Sequence, residues 1–423
     1  MRTVKSTRAP GLGVASGTAL YVGAVLGPGV LILPALAADA AGPASVLAWA
    51  GLLAVSVAIA VTFAALGVRH PVAGGAAAYV QAAFGRRPAA ATGWWFLAGV
   101  VIGAPTVSLV GGFYVAHLVG GGRPVAVIAA IAMLATAIGA NAGGVRLSAG
   151  VQLGLAALLA ALLLIAIVAA LPAARASHWT PFAPHGWLAI GTAANLLMLS
   201  FVGWEAVAHL AGEFADPLRQ LPRAMVAAFA VVAVLYLGLA IATVAVLGAA
   251  TSSNVPLADL MESGLGRPGR IATAVAAVLL TMGPINVYVA GATKLAGAMA
   301  AEGTMPAWLA RPRAPLATIA AVTATILALL ATGVADVEPL VRVCSTCFVA
   351  VYVTATAAGA RLLTGRLRAV AALSFVLVVV VFAFSGAYLA VPAALAVAAL
   401  TRAGGAAWRG SSAAPGCRAA SRA

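Results

Sequence analysis

Gly27-Pro28-Gly29 lies at the centre of the first hydrophobic run, about residues 12–37. That run is long enough to cross a bilayer, which takes roughly 20 residues in a helix. Pro28 removes an amide N–H and clashes with the preceding turn, and each flanking glycine adds a loss of backbone entropy. In hydrocarbon a broken helix leaves peptide groups unpaired, which is tolerated only where they line a protein cavity or hold something. The expectation is an all-α membrane protein with a gap built into its first helix.

Composition extends that expectation to the whole chain. Of 423 residues, 64% are hydrophobic and 8% charged, whereas a soluble domain carries about 25% charged residues. Twelve spans are expected, near 12–37, 44–67, 92–119, 124–141, 147–171, 188–212, 223–249, 268–294, 315–334, 338–361, 368–385 and 387–402. They leave no room for a soluble domain between an N-terminal tail, 1–11, and a C-terminal tail, 403–423. The net charge of +15 is sorted by side. With the N-terminus inside, all but five of the 24 Lys and Arg fall on inner loops and tails, and Arg123, Arg175, Arg267, Arg270 and Arg342 fall outside. That is the positive-inside pattern of a multi-pass protein with both termini in the cytoplasm. The charge orients the chain and attracts anionic lipid, with no nucleic acid required.

Arg2, Lys5 and Arg8 before an apolar run ending in Ala35-Leu36-Ala37 resemble a signal peptide, but the run is too long and is broken at its centre. Cys344 and Cys347 lie three apart on an apolar helix with no second pair or neighbouring histidine, and are expected to pack against a neighbouring helix. Cys417 is a lone thiol in the tail. No metal site or cofactor is expected. His117, His178 and His185 fall near the outer surface without ligand spacing, and Trp49, Trp94, Trp95 and Trp179 are expected to mark the interfaces.

A second gap should exist if the first is functional, because carriers built of two inverted halves interrupt helices at matching positions. Segment six supplies it in Ser200-Phe201-Val202-Gly203-Trp204-Glu205, which includes a carboxylate inside a span. Segments one and six open successive sets of five. The expected plan is therefore a five-plus-five inverted repeat, about 12–171 and 188–361, followed by segments eleven and twelve at about 368–402. Between segments two and three, Pro71 to Gly75 stop the helix, and a short amphipathic stretch follows, held at the inner interface by Arg86 and Arg87. Asp216-Pro217 reads as a turn, with Pro222 in the first turn of segment seven.

The broken first helix, Pro71-x-x-Gly74-Gly75, Phe201-x-Gly203-x-Glu205, Glu213-x-x-x-Pro217 with Pro222-Arg223, and Lys294 ahead of Gly303-x-x-Pro306 carry a resemblance. The chain resembles the amino acid–polyamine–organocation (APC) superfamily of permeases over nearly its whole length. Residues Phe201 to Leu210, Glu213-Phe214, Phe84-Gly85 and Thr92-Gly93-Trp94 are similar to the bacterial exporters of methionine and branched-chain amino acids within it. The resemblance implies a secondary transporter of a bacterial-type plasma membrane, a monomer or homodimer, that exports methionine, leucine, isoleucine or valine. Import or exchange of another amino acid or amine is the alternative. Pro28 stands where many family members carry a small hydroxyl residue or glycine.

The expected chemistry follows from the two gaps. The second half of segment one begins near Gly29, where the free amides of Gly29, Val30 and Leu31 suit a carboxylate. Carbonyls of Val25 and Leu26 before the first gap, and of Phe201 and Val202 before the second, suit an α-amino group. Gly27 and Gly203 complete the backbone of the site, and Trp204, Phe201 and Asn286 are candidate linings. Few charges are at hand, which favours apolar amino acids over arginine or lysine. Glu205 and His209, one turn apart, form a candidate gate or proton site; the competing reading makes Glu205 a structural tie and His209 a packed histidine. Segment five contains no lysine, so coupling through an ammonium is not expected. Asn286 and Thr281 are divided between facing the substrate and bridging helices. An enzyme would need a third partner for Glu205 and His209, and a channel a filter loop; neither is in the sequence.

Overall fold

The structure is a computed structural model that describes residues 12–70, 75–144, 149–204, 214, 216–248 and 253–411. Among them it is all helical apart from one isolated bridge between Leu12 and Phe214. Nine helices of the described residues are long and apolar enough to span a membrane: Leu33–Arg69, Arg86–Val119, Arg123–Ala142, Leu153–Ala173, Arg219–Leu247, Arg267–Ala301, Ala314–Thr332, Val337–Leu362 and Gly365–Ala383. Val14–Val25, Ala189–Phe201 and Gly386–Arg402 are shorter apolar helices. Polar residues inside these helices satisfy themselves locally. Thr62, Thr106, Ser108 and Thr273 each return a hydroxyl to the carbonyl four residues back, which keeps them compatible with a dry surrounding.

Segment one is split, as its glycines and proline require. Its first half, Val14–Val25, packs on segments five and seven, and its second half, Leu33–Ala41, packs on the first half of segment six, Ala189–Leu197. Segment three, Arg86–Val119, is the central strut, packing against segments four, eight, ten and twelve. Cys344 donates its thiol to the Gly99 carbonyl at 3.1 Å, and Cys347 is buried. The pair therefore packs as expected, while Cys417 lies outside the described residues. A turn at Ser385-Gly386 separates segments eleven and twelve, with Gly386 at φ 56°.

The short helix Gly75–Phe84 ends at Gly85, at φ 88°, and Arg86 opens segment three and donates to the Glu302 carbonyl at 2.8 Å. Three expectations are corrected. Segment seven starts at Pro217 rather than near 223, because the Asp216 side chain caps the helix by accepting the Arg219 amide at 3.3 Å. Pro217 then takes the first-turn position and Pro222 falls inside the helix. Segment eight continues through Lys294 to Ala301. Trp49 is not an interface residue. It is fully buried, 5.0 Å from the Tyr236 ring and 6.0 Å from Phe201, against the second gap.

Candidate substrate site

The first gap is a short run of tight turns. Leu26, at φ −70° and ψ 78°, closes an inverse γ-turn in which the Gly27 amide donates to the Val25 carbonyl at 2.7 Å. A single 3-10 turn, Pro28–Leu31, follows, and Ile32 donates to the Gly29 carbonyl at 3.1 Å. Within this gap the Val30 amide is only loosely held, 3.5 Å from the Gly27 carbonyl, and the Gly29 amide donates no backbone bond among the described residues.

The second gap meets the first backbone to backbone. Segment six runs as a helix to Leu197 and a 3-10 turn to Phe201, after which Val202 is extended and Gly203 takes φ 133°. A Cβ on Gly203 would overlap the Ala24 carbonyl oxygen, with the carbonyl carbon at 2.8 Å. Glycine is required there twice, by the dihedral and by the approach.

Tyrosines from neighbouring helices serve the exposed carbonyls. The Tyr236 hydroxyl lies 2.9 Å from the Val25 carbonyl and 2.8 Å from that of Ser200, so one O–H is shared between the two gaps. Tyr352 receives the Gly203 amide at 3.2 Å and points its hydroxyl at the Phe201 carbonyl, 3.4 Å away. Tyr114 donates to the Leu31 carbonyl at 2.7 Å and receives the Leu257 amide at 3.2 Å, tying the first gap to the short helix Pro256–Leu265.

A cavity of about 280 Å³ opens beside the first gap. That exceeds the roughly 150 Å³ that suffices to hold benzene in an apolar protein interior. Segment one contributes Gly23, Ala24, Leu26, Gly27 and Pro28; segment five Leu155, Ala156 and Leu159; segment eight Leu280, Gly283, Pro284, Val287 and Tyr288. None of these residues is charged. Pro284 has no N–H, so the Leu280 carbonyl loses its helical donor on the cavity wall.

The structure brings Leu26 and Gly27 together on the cavity. Val25, Val30 and Phe201 are packed behind it, and Gly29 faces segment six, where an added Cβ would lie 3.3 Å from Ser200 Oγ and 2.8 Å from Leu33 Cδ1. Val202 packs toward segments three and ten, and Gly203 forms the junction. Trp204 is buried and faces a different groove, between segments two and seven. Asn286 faces segment four, where its Oδ1 accepts from Asn141 Nδ2 at 2.7 Å; it bridges helices and is not on the cavity wall. Thr281 packs against Gly111 of segment three. Glu205 and His209 lie outside the described residues, as do Pro71, Gly74 and Glu213 of the motifs. Among the described residues no group of His, Cys, Asp or Glu is arranged to hold a metal ion.

Sequence reasoning missed Tyr114, Tyr236 and Tyr352, the segment-five wall, and the Ser200 hydroxyl, which is buried without a partner among the described residues. A signal existed for part of this. Gly283-Pro284, in the middle of segment eight, has the same residue chemistry as the first gap, and a tyrosine within an apolar run needs a partner for its hydroxyl.

Residues 12–396 match the amino acid permease family. The amino acid permease YecA of Bacillus subtilis is 36% identical over 392 residues, covering 90% of this chain and 92% of that protein. The L-methionine/branched-chain amino acid exporter YjeH of Escherichia coli is 30% identical over 390 residues, covering 89% and 91%. The branched-chain amino acid permease BcaP of Bacillus subtilis is 25% identical over 322 residues, covering 71% and 69%. A multi-pass helical chain that matches along nearly its full length, and in which the broken segment one meets the end of the segment-six helix beside an apolar cavity, thus belongs to the amino acid permease family, a family of transporters rather than enzymes.

Proposed function

We propose that this protein is a secondary active transporter that moves neutral, apolar amino acids by alternating access, exporting methionine, leucine, isoleucine and valine from a bacterial cell through its plasma membrane, with both termini in the cytoplasm. The observation that carries this reading is the uncharged cavity beside the first gap. An amino acid side chain meets leucine, alanine and valine there, and no carboxylate of the lining can pair with a cationic one. On the sequence argument that a half-helix begins with free amides, the α-carboxylate is assigned to those of Gly29 and Val30, which directly follow the cavity-lining Pro28, and the α-amino group to carbonyls at the gap, Leu26 first. The name of YjeH, an exporter of methionine and branched-chain amino acids, supports the same substrate class. Coupling to protons is assigned to Glu205 with His209, on the sequence argument that an ionisable residue inside a membrane is functional by default. The five-plus-five repeat with two added helices is part of the same proposal.

Purified protein in proteoliposomes, offered a panel of labelled amino acids with and without a pH gradient, tests this reading. Methionine, leucine and valine should exchange, and amidation of the α-carboxylate should remove binding. Gly29→Leu should insert normally and bind no substrate. Glu205→Gln should keep exchange and lose stimulation by the gradient. Best competition by arginine or by a decarboxylated amine would overturn the substrate class, and unchanged gradient dependence would remove Glu205 from the mechanism.

A further inference from the structure

A groove of about 530 Å³ runs between segments two, seven and eleven, apart from the substrate cavity. Val57, Val61, Ala64 and Val68 line it from segment two. They are spaced four, three and four residues apart, so they form one stripe along the helix. At 1.5 Å per residue the stripe is about 16 Å long, close to half of a hydrocarbon core of roughly 30 Å. Met225 and Phe229 of segment seven form the opposite wall. Val57, Val68 and Val226 are exposed there, so the groove is open along its side.

The two ends of the groove differ. One end has Arg69 in its lining, with Arg223 beside the lining residue Pro222, and Arg366 and Arg368 on either side of the lining residue Leu367. All four arginines are exposed, and among the described residues no acidic one lines the groove. Arg69 donates to Thr364 Oγ1 at a long 3.4 Å. Asp216, at the start of segment seven, is paired with Arg219 at 3.9 Å. Trp204 also lines the groove, and it directly follows Gly203 at the junction of the two gaps.

We propose that this groove is a binding site for an anionic phospholipid. One acyl chain lies along the segment-two stripe against Trp204, and the phosphate is held by Arg69 together with Arg223, Arg366 and Arg368. The length of the stripe matches an acyl chain of one leaflet, and the cationic end matches a phosphate at the interface. Zwitterionic lipid presents the same chains, so the arginines should discriminate by charge. A basic residue near a membrane surface contributes about 1 kcal/mol toward anionic lipid, or about fivefold in affinity. Because Trp204 is next in sequence to Gly203, an occupied groove braces the second gap.

Native mass spectrometry and thermal unfolding of the detergent-purified protein test the proposal, with phosphatidylglycerol, phosphatidylcholine of the same chains, and glycerol phosphate as probes. Phosphatidylglycerol should be retained at least fivefold better than phosphatidylcholine and should raise the unfolding temperature. Arg69→Gln should lower that preference, and Arg69→Gln with Arg366→Gln and Arg368→Gln should abolish it. Ala64→Phe, which fills the groove without touching the arginines, should weaken both lipids. These substitutions alter exposed arginines or a groove wall, and substrate exchange by each variant reports that it is folded. Equal retention of the two phospholipids, full competition by glycerol phosphate, or a second protein copy seated on the groove would each overturn the assignment.

Discussion

The two gaps are made from similar residues but are used differently. The gap in segment one is bordered by empty volume: Leu26, Gly27 and Pro28 line a cavity whose other walls come from segments five and eight. The gap in segment six is filled by Trp49, Phe201 and Tyr236, whose rings lie 5.0–6.0 Å apart. Breaking a helix therefore does not by itself create a binding site. The first gap has space for a ligand, and the second has packing that holds it against the first.

The largest effect that would test this contrast is expected at the junction. Gly203→Ala forces a side chain into positive φ and onto the Ala24 carbonyl, and should destabilise the protein by more than the roughly 1–3 kcal/mol of backbone strain alone. Gly27→Ala, whose Cβ meets nothing closer than Val25 O at 3.9 Å, should stay within about 0.5 kcal/mol of the parent. Thermal unfolding of both variants decides; equal stabilities would erase the distinction between a tight and an open gap.

Tyr236→Phe comes next. It removes the one hydroxyl serving both Val25 and Ser200 and should cost about 1–3 kcal/mol, as expected when buried carbonyls lose a donor. Tyr352→Phe, which removes the acceptor of the Gly203 amide at 3.2 Å and the contact with the Phe201 carbonyl at 3.4 Å, should loosen the same junction. If Tyr352 proves the more sensitive, segment ten and not segment seven holds the junction.

Ser200→Ala sharpens the comparison from the ligand's side. Its hydroxyl is buried, without a partner among the described residues, and opposite Gly29, so removing it should leave stability unchanged and weaken substrate binding several-fold, of order 1 kcal/mol. Calorimetric titration with methionine measures this. Reduced stability with unchanged affinity would make Ser200 a packing residue.

The smallest effect is expected on the short helix Pro256–Leu265, which reaches the first gap through Tyr114. Burial pushes the Asp259 carboxyl above its usual range, against the lowering pull of the Ser253 hydroxyl and of His117, with Glu262 adding to the rise. A carboxyl with a raised folded-state pKa binds its proton more tightly in the fold. Stability should therefore rise as pH falls through that raised value and be lost as pH climbs above it. Asp259→Asn should flatten this part of the pH–stability curve by about 1 kcal/mol or less. An unchanged slope would assign it to other groups.

The helical fold and the break in segment one were legible in the sequence because their causes are local. A long uncharged run forms a helix in lipid, and Gly27-Pro28-Gly29 interrupts one wherever it sits. Partner choice was not legible. Asn286 could equally have faced a substrate until Asn141 was found opposite it, and Trp49 had the composition of an interface residue until segments six and seven closed over it. The same holds for Tyr236, whose role depends on two carbonyls that are 211 and 36 residues away along the chain. Trp204, a candidate lining, faces the groove between segments two and seven, since neighbouring positions on an irregular turn carry no helical periodicity from which a facing can be read.

The shared Tyr236 hydroxyl has a consequence for electrostatics. One proton lies between two carbonyl oxygens, each with lone pairs of its own, and the Val25 oxygen also accepts the Gly27 amide, so acceptor oxygens crowd the described part of the junction. Fixed dipoles of this kind make a region electronegative in a way that no change of pH can discharge. The attraction of these carbonyl oxygens for a positive charge is thus built from geometry alone, and pH dependence can come only from groups that titrate.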